Sequence, residues 1–161
     1  MDWIEPLSPI FWLRIGVAVL CGGVVGLERQ VRGKPAGIRT SILVCLGTAM
    51  YIHIGMRIQG TGDPTRVLGQ VVTGIGFLGA GVILTRDGLV HGVTSASVVW
   101  MLAGIGAAIG LDAFGAALAL SAVTVAVLVG VELLERAFLS LRRGVHAHAP
   151  TRNGSSSSTE A

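Results

Sequence analysis

Of 161 residues, 52% are hydrophobic and only 13% are charged, about half the charged share of a soluble globular domain. That balance suits a chain whose solvent is lipid, and the length leaves no room for a second folded domain. The net charge of +3 and pI near 9.5 come from basic residues between and after the apolar runs, not from one stripe with interleaved aromatics, which argues against nucleic-acid binding.

The first residues, Met1 to Pro6, carry Asp2 and Glu5 and no base, so a cleaved signal peptide is not expected and the first apolar run stays in place. Five runs are long enough to cross hydrocarbon, which takes about 20 residues each at a rise of 1.5 Å. They are predicted at residues 9–27, 40–58, 67–85, 93–111 and 113–132. Arg14 lies near the start of the first run, where it is expected to snorkel toward the headgroups. The second contains His53, read as a structural histidine because a proton relay needs a chain of partners. Cys21 and Cys45 sit inside apolar runs without ligand spacing around them, so neither a disulfide nor a zinc site is expected. The fold expected is an all-α integral membrane bundle of about five transmembrane helices spanning residues 1–140. Residues 141–161, rich in serine, are read as a disordered cytoplasmic tail.

Basic residues in short connections are retained on the cytoplasmic side. Nine of them, from Arg29, Arg32, Lys34 and Arg39 through Arg86 to Arg136, Arg142, Arg143 and Arg152, fall on one side of this topology, against Arg14, Arg57 and Arg66 on the other. The expectation is an inner-membrane protein with its N-terminus outside and its C-terminus in the cytoplasm.

The 24 glycines are about twice the usual share and cluster within the apolar runs. In lipid, helices associate through close backbone approach, and small residues four apart make the groove. Gly22 with Gly26, Gly76 with Ala80, and Gly106 with Gly110 have that spacing, and Gly74, Gly79 and Gly81 extend the series; all are read as helix-packing positions. Gly74, Gly76 and Gly79 also satisfy the glycine pattern of dinucleotide-binding loops. No strand precedes them and position 99 is Val99 instead of an acid, so no cofactor is expected.

Three stretches together resemble the MgtC/SapB family of bacterial inner-membrane proteins: Gly26-Leu27-Glu28-Arg29-Gln30 with Ala36-Gly37-Ile38-Arg39-Thr40; Asp63-Pro64-Thr65-Arg66 with Gln70 through Gly81; and Gly92-Val93-Thr94-Ser95-Ala96-Ser97 with Trp100. The resemblance covers roughly residues 12–135. Ser41 stands where the family usually has His or Asn, and Thr94-Ser95-Ala96-Ser97 where it usually has Thr-Thr-Ala-Ala. The better-known virulence-associated members also carry a soluble cytoplasmic domain, for which this chain has only its short tail. The resemblance implies a non-enzymatic regulator or adaptation factor linked to growth in low magnesium, survival inside phagocytes, and membrane potential or ATP synthase. A small magnesium transporter is the alternative.

Functional candidates are Glu28, Arg29, Arg39, Asp63, Arg66 and Gln70. Glu28 and Arg29 form either a boundary cluster or part of an interior cation or proton site, since an intramembrane ionisable group is costly unless paired or used. Asp63 before Pro64 reads as a helix cap. Gln70, Thr73, Thr94, Ser95 and Ser97 are read as interhelical hydrogen-bonding positions. No nucleophile with a base and no metal motif is recognisable, so no catalytic residue and no metal ligand is assigned. The expected partners are the lipid bilayer, other membrane proteins and a further copy of the chain.

Overall fold

The computed structural model describes residues 8–58, 64–86 and 89–137. In chain order these form α1 (Pro9–Val31), α2 (Ile38–Ile58), α3 (Pro64–Val82), β1 (Leu84–Arg86), β2 (Leu89–His91), α4 (Val93–Gly110) and α5 (Phe114–Ala137). All five helices are long and apolar enough to cross a membrane. The protein is an integral membrane helix bundle. From Leu128 onward α5 belongs to a separate compact unit, and the packing below concerns the residues before it. The expected tail lies outside the described residues.

The burial pattern of α1 departs from that of a soluble bundle. On α1 the buried residues are Arg14, Ala18, Cys21, Gly22, Val25, Gly26 and Arg29, a stripe at helical spacing that is small or polar. Large apolar side chains face outward, including Leu20, Leu27, Leu43, Phe77 and Trp100. Lipid tails solvate Leu as well as a protein interior does, so nothing drives these side chains inward. The central element is α4, which buries Val98, Leu102, Ile105 and Ile109 among others and touches α1, α2 and α3. Ala18, Cys21, Cys45, Ala49, Ile105, Ile109 and Ala117 form the core where α1, α2, α4 and α5 meet.

Four glycines make the tight crossings. A Cβ at Gly22 would stand 2.8 Å from the backbone of Ile42, and one at Gly26 only 2.6 Å from Ile38 Cα. Gly106 lies against the Cys45 carbonyl, and Gly110 would bring a Cβ to 2.7 Å from the Ala49 carbonyl. Thus α1 meets α2 at one pair of glycines, and α4 meets α2 at the other. The expected packing role does not extend to α3 within this chain. A Cβ at Gly74, Gly76 or Gly81 meets nothing within 4 Å, and one at Gly79 reaches only Ala96, 3.8 Å away. Ala80 is exposed. The stripe on α3 mostly points away from the neighbouring helices, which small-residue spacing alone does not reveal.

Two chain reversals share one geometry. After α1, the Lys34 N–H donates to the Arg29 carbonyl at 2.9 Å and the Gly33 N–H to the Gln30 carbonyl at 3.0 Å, with Gly33 at φ +61°. After α4, the Ala113 N–H donates to the Ala108 carbonyl at 2.9 Å and the Asp112 N–H to the Ile109 carbonyl at 3.0 Å. Both are left-handed helix caps that satisfy terminal carbonyls. The second places Asp112, at φ +59°, where glycine is the usual residue.

The third helix is displaced by three residues toward the N-terminus relative to its predicted run. It stops at Val82, and the chain turns into an antiparallel hairpin pairing Leu84 with His91, Thr85 with Val90 and Arg86 with Leu89. Gly92, at φ +90°, lets the returning strand press against the Val82 carbonyl, a position any Cβ would occupy. The sequence signal is Asp87-Gly88, a pair favoured in tight hairpins and followed by Leu-Val; a continuous apolar run hides it.

These contacts predict a sharp split among the glycines. Gly26→Ala and Gly106→Ala each force two backbones apart and should cost about 1–3 kcal/mol, the range for overpacking. Gly76→Ala and Gly81→Ala should leave the unfolding midpoint in mild detergent unchanged or slightly raised, because a helical glycine gains from a methyl where space is open. Thermal unfolding followed by circular dichroism measures the difference.

Candidate functional site

Polar chemistry is gathered at two levels, near the two ends of α1. Arg14 and Arg29 are fifteen residues apart on its buried face, about 22 Å along the axis.

At the end nearer the α1–α2 connection, the buried Arg29 donates from Nη2 to Ser95 Oγ at 2.7 Å, bridging 66 residues of sequence. Glu28 lies beside it with a side chain only 8% exposed. Arg32 Nε stands 2.7 Å from Glu28 Oε1, one helical turn on, and Arg29 Nη1 stands 3.8 Å from Oε2. These are ion pairs without well-aligned hydrogen bonds, and both carboxylate oxygens together with Arg29 Nε remain buried without a hydrogen-bond partner. Glu28 thus stands between two guanidiniums, each of which attracts its carboxylate.

The rest of this first motif is structural. Gln30 Oε1 accepts from the Ile38 N–H at 3.3 Å, satisfying a free donor at the start of α2. A Cβ at Gly37 would crowd that same amide oxygen at 3.1 Å. Ser41, fully buried, donates from Oγ to the Ala36 carbonyl at 3.2 Å, and its Cβ fills the notch left by Gly26. Ser41 thus has a role of its own where the resemblance raised a departure.

At the other end, Arg14 does not snorkel as expected. It is 4% exposed and grips Asp112 with two parallel bonds, Nε to Oδ1 at 2.7 Å and Nη2 to Oδ2 at 3.0 Å. This fork geometry is the strongest form of the pair. It links the first helix to the α4–α5 turn. A buried guanidinium requires a counterion more than it requires water, and the chain supplies one 98 residues later.

The remaining candidates are dispersed. Arg39, Arg66 and Gln70 are exposed, Gln70 at the edge of a groove between α2 and α3, and Asp63 lies outside the described residues. Thr73 and Ser97 bond the carbonyls of Gly69 and Val93 in their own helices. Of the expected interhelical bonds, the described geometry forms the one at Ser95. His53 is buried. Among the described residues, no group of three or more His, Cys, Asp or Glu side chains converges as a metal site would require. Arg32, Asp112 and the Arg14 pairing were not among the sequence candidates. Arg14 alone gave a signal, as the single charge within its run.

Among the described residues, five helices long and apolar enough to span a membrane, pinned by small residues and by ion pairs near the two ends of α1, define a multi-pass membrane protein. The sequence pattern of the MgtC family matches residues 15–137, and the chain belongs to that family. It is 39% identical over 140 residues to Protein MgtC of Brucella abortus, covering 83% of this chain and 56% of that one. It is 44% identical over 107 residues to Protein MgtC of Salmonella typhimurium, covering 66% and 46%. To the putative magnesium transporter YhiD of Escherichia coli it is 40% identical over 114 residues, covering 62% and 50%. The chain spans about half the length of the curated relatives it matches. No solved structure matches it.

The Arg14–Asp112 pair should respond asymmetrically. Asp112→Ala leaves a buried guanidinium uncompensated and should cost about 3 kcal/mol or more, whereas Arg14→Leu with Asp112→Gly, apolar below and glycine in the left-handed position, should recover most of that loss. A double-mutant cycle of unfolding in detergent reads both. Ser95→Ala, which removes the acceptor of a buried charged donor, should cost about 1.5–3 kcal/mol.

Proposed function

We propose that the protein is a non-enzymatic adaptation factor of the bacterial inner membrane, acting in growth at low magnesium through helix-to-helix contact with another membrane protein. The N-terminus lies outside and the C-terminus in the cytoplasm, following the basic residues of the connections. Membrane potential or the ATP synthase is the point of action implied by the family.

The observation that carries this reading is the outward face of α3. Gly69, Thr73, Gly76 and Ala80 recur at four, seven and eleven residues and are all exposed, a small-residue face of the kind that admits a second helix closely. The buried charges Arg14, Glu28 and Arg29, by contrast, are engaged in ion pairs: Arg14 with Asp112, and Glu28 with Arg29 and Arg32. That leaves few acids for a cation path.

The second reading is a small magnesium transporter, supported by the similarity to YhiD, named a putative magnesium transporter, and by the two buried Glu28 oxygens that lack a hydrogen bond. Reconstitution into sealed vesicles loaded with a magnesium-sensitive dye separates the two. The adaptation factor gives no flux above empty vesicles. In cells lacking the gene, Gly76→Trp then fails to restore growth at low magnesium while Glu28→Gln restores it, with both proteins present at normal levels in the membrane. Magnesium flux that Glu28→Gln abolishes would reverse the ranking.

A further inference from the structure

A groove of about 750 Å³ runs between α2 and α3. Leu43, Gly47 and Tyr51 line it from α2, and Gly74 and Leu78 from α3. Its walls are apolar and it opens outward into hydrocarbon. It is not uniform in width. At one end the helices pinch together, where a Cβ at Gly55 would stand 2.7 Å from the Val67 side chain. Farther along, Gly47 and Gly74 leave open space on both walls, with nothing within 4 Å of either Cβ position. A slot that narrows in this way does not suit a helix, which needs a gap of about 10 Å along its whole length. It suits a flexible chain.

The wide end has a charge at its mouth. Arg39, Leu43, Gly47 and Tyr51 succeed one another at i+4, so all four stand on one face of α2. Arg39 is exposed, as is Lys34 in the connection before it, and among the described residues neither is paired with an acid. The nearest acid in sequence, Glu28, is taken by Arg32 and Arg29. From Arg39 to Tyr51 is about 18 Å along the helix, against about 15 Å for one leaflet of hydrocarbon.

The geometry points to a binding site for one anionic phospholipid, its headgroup phosphate on Arg39 and Lys34 and one acyl chain lying in the α2–α3 groove. The guanidinium fork matches phosphate oxygens in a way an ammonium does not. The glycine notches at Gly47 and Gly74 receive the chain where a larger side chain would exclude it. The site lies in the leaflet into which the α1–α2 connection projects, and it stands whether the protein moves an ion or contacts a partner.

The same open space makes the site testable without disturbing the bundle. Purified full-length protein in mild detergent is mixed with equal amounts of phosphatidylglycerol and phosphatidylethanolamine, and bound lipid is counted by native mass spectrometry. The wild type should retain one lipid, with phosphatidylglycerol preferred. Gly47→Leu and Gly74→Leu should lose retention of both lipids while keeping the helical signal and unfolding midpoint, and Arg39→Gln should lower the headgroup preference about fivefold, the effect of one basic group near a surface. If Gly47→Leu fails to fold, Gly74→Leu and Arg39→Gln carry the test from the opposite wall and the mouth. The proposal is overturned if the wild type shows no headgroup preference or if the leucine variants retain lipid like the wild type. It is equally overturned if those variants convert a dimer to a monomer, since a second copy would then be the occupant.

Discussion

Lipid takes away the force that normally assembles helices. In water an apolar stripe is expelled into a core; in hydrocarbon the same stripe is already solvated, and association depends on how closely two backbones approach and on which polar groups find each other. The organisation of this bundle follows from that constraint. At Gly22, Gly26, Gly106 and Gly110 the neighbouring backbone occupies the volume a side chain would need. Those crossings fix α2 between α1 and α4, and larger residues such as Ile105 and Ile109 fill the interior only because the glycines have already brought the helices together.

Polar groups then set the level of the helices relative to one another. Glycine crossings permit sliding along the axis, whereas an arginine that must meet one particular oxygen does not. Arg29 on Ser95 holds α1 level with the start of α4, and Arg14 on Asp112 holds it level with the end of α4. The two locks are about 22 Å apart on one helix, so a shift that satisfied one would break the other. Asp112 shows the same logic locally. Its left-handed backbone costs on the order of 1 kcal/mol relative to glycine, and a glycine there would cap α4 more easily but would leave Arg14 buried without a counterion.

How much of this was legible follows from the range of each interaction. The spans were visible because length and apolarity are local, and α1, α2 and α4 begin within two residues of the predicted positions. Gly22 with Gly26 and Gly106 with Gly110 were recognisable as packing faces by their spacing. The α3 series carries the same spacing and points elsewhere, because periodicity defines a face but not what stands opposite it. The Arg14 partner was hidden for a related reason: snorkelling is the outcome for a lone arginine, and whether it is alone depends on a turn 98 residues away. Arg29 and Ser95 were each singled out, yet only the antiparallel return of α4 brings them together.

The distribution of charge separates two tasks that sequence alone runs together. Within the bundle, the two buried arginines, Arg14 and Arg29, are engaged in holding helices level. Removing either one therefore disturbs the fold first, and loss of activity in such a variant says little about ion or partner chemistry. The residues free of that duty are on the outside: Arg39 at the mouth of a groove, Gln70 at its edge, and the bare face of α3. An exposed arginine or amide at the margin of hydrocarbon is left incompletely satisfied by this chain alone. On the function proposed above, such surfaces are where lipid or another helix would complete the bundle, while the interior supplies the rigidity that presents them.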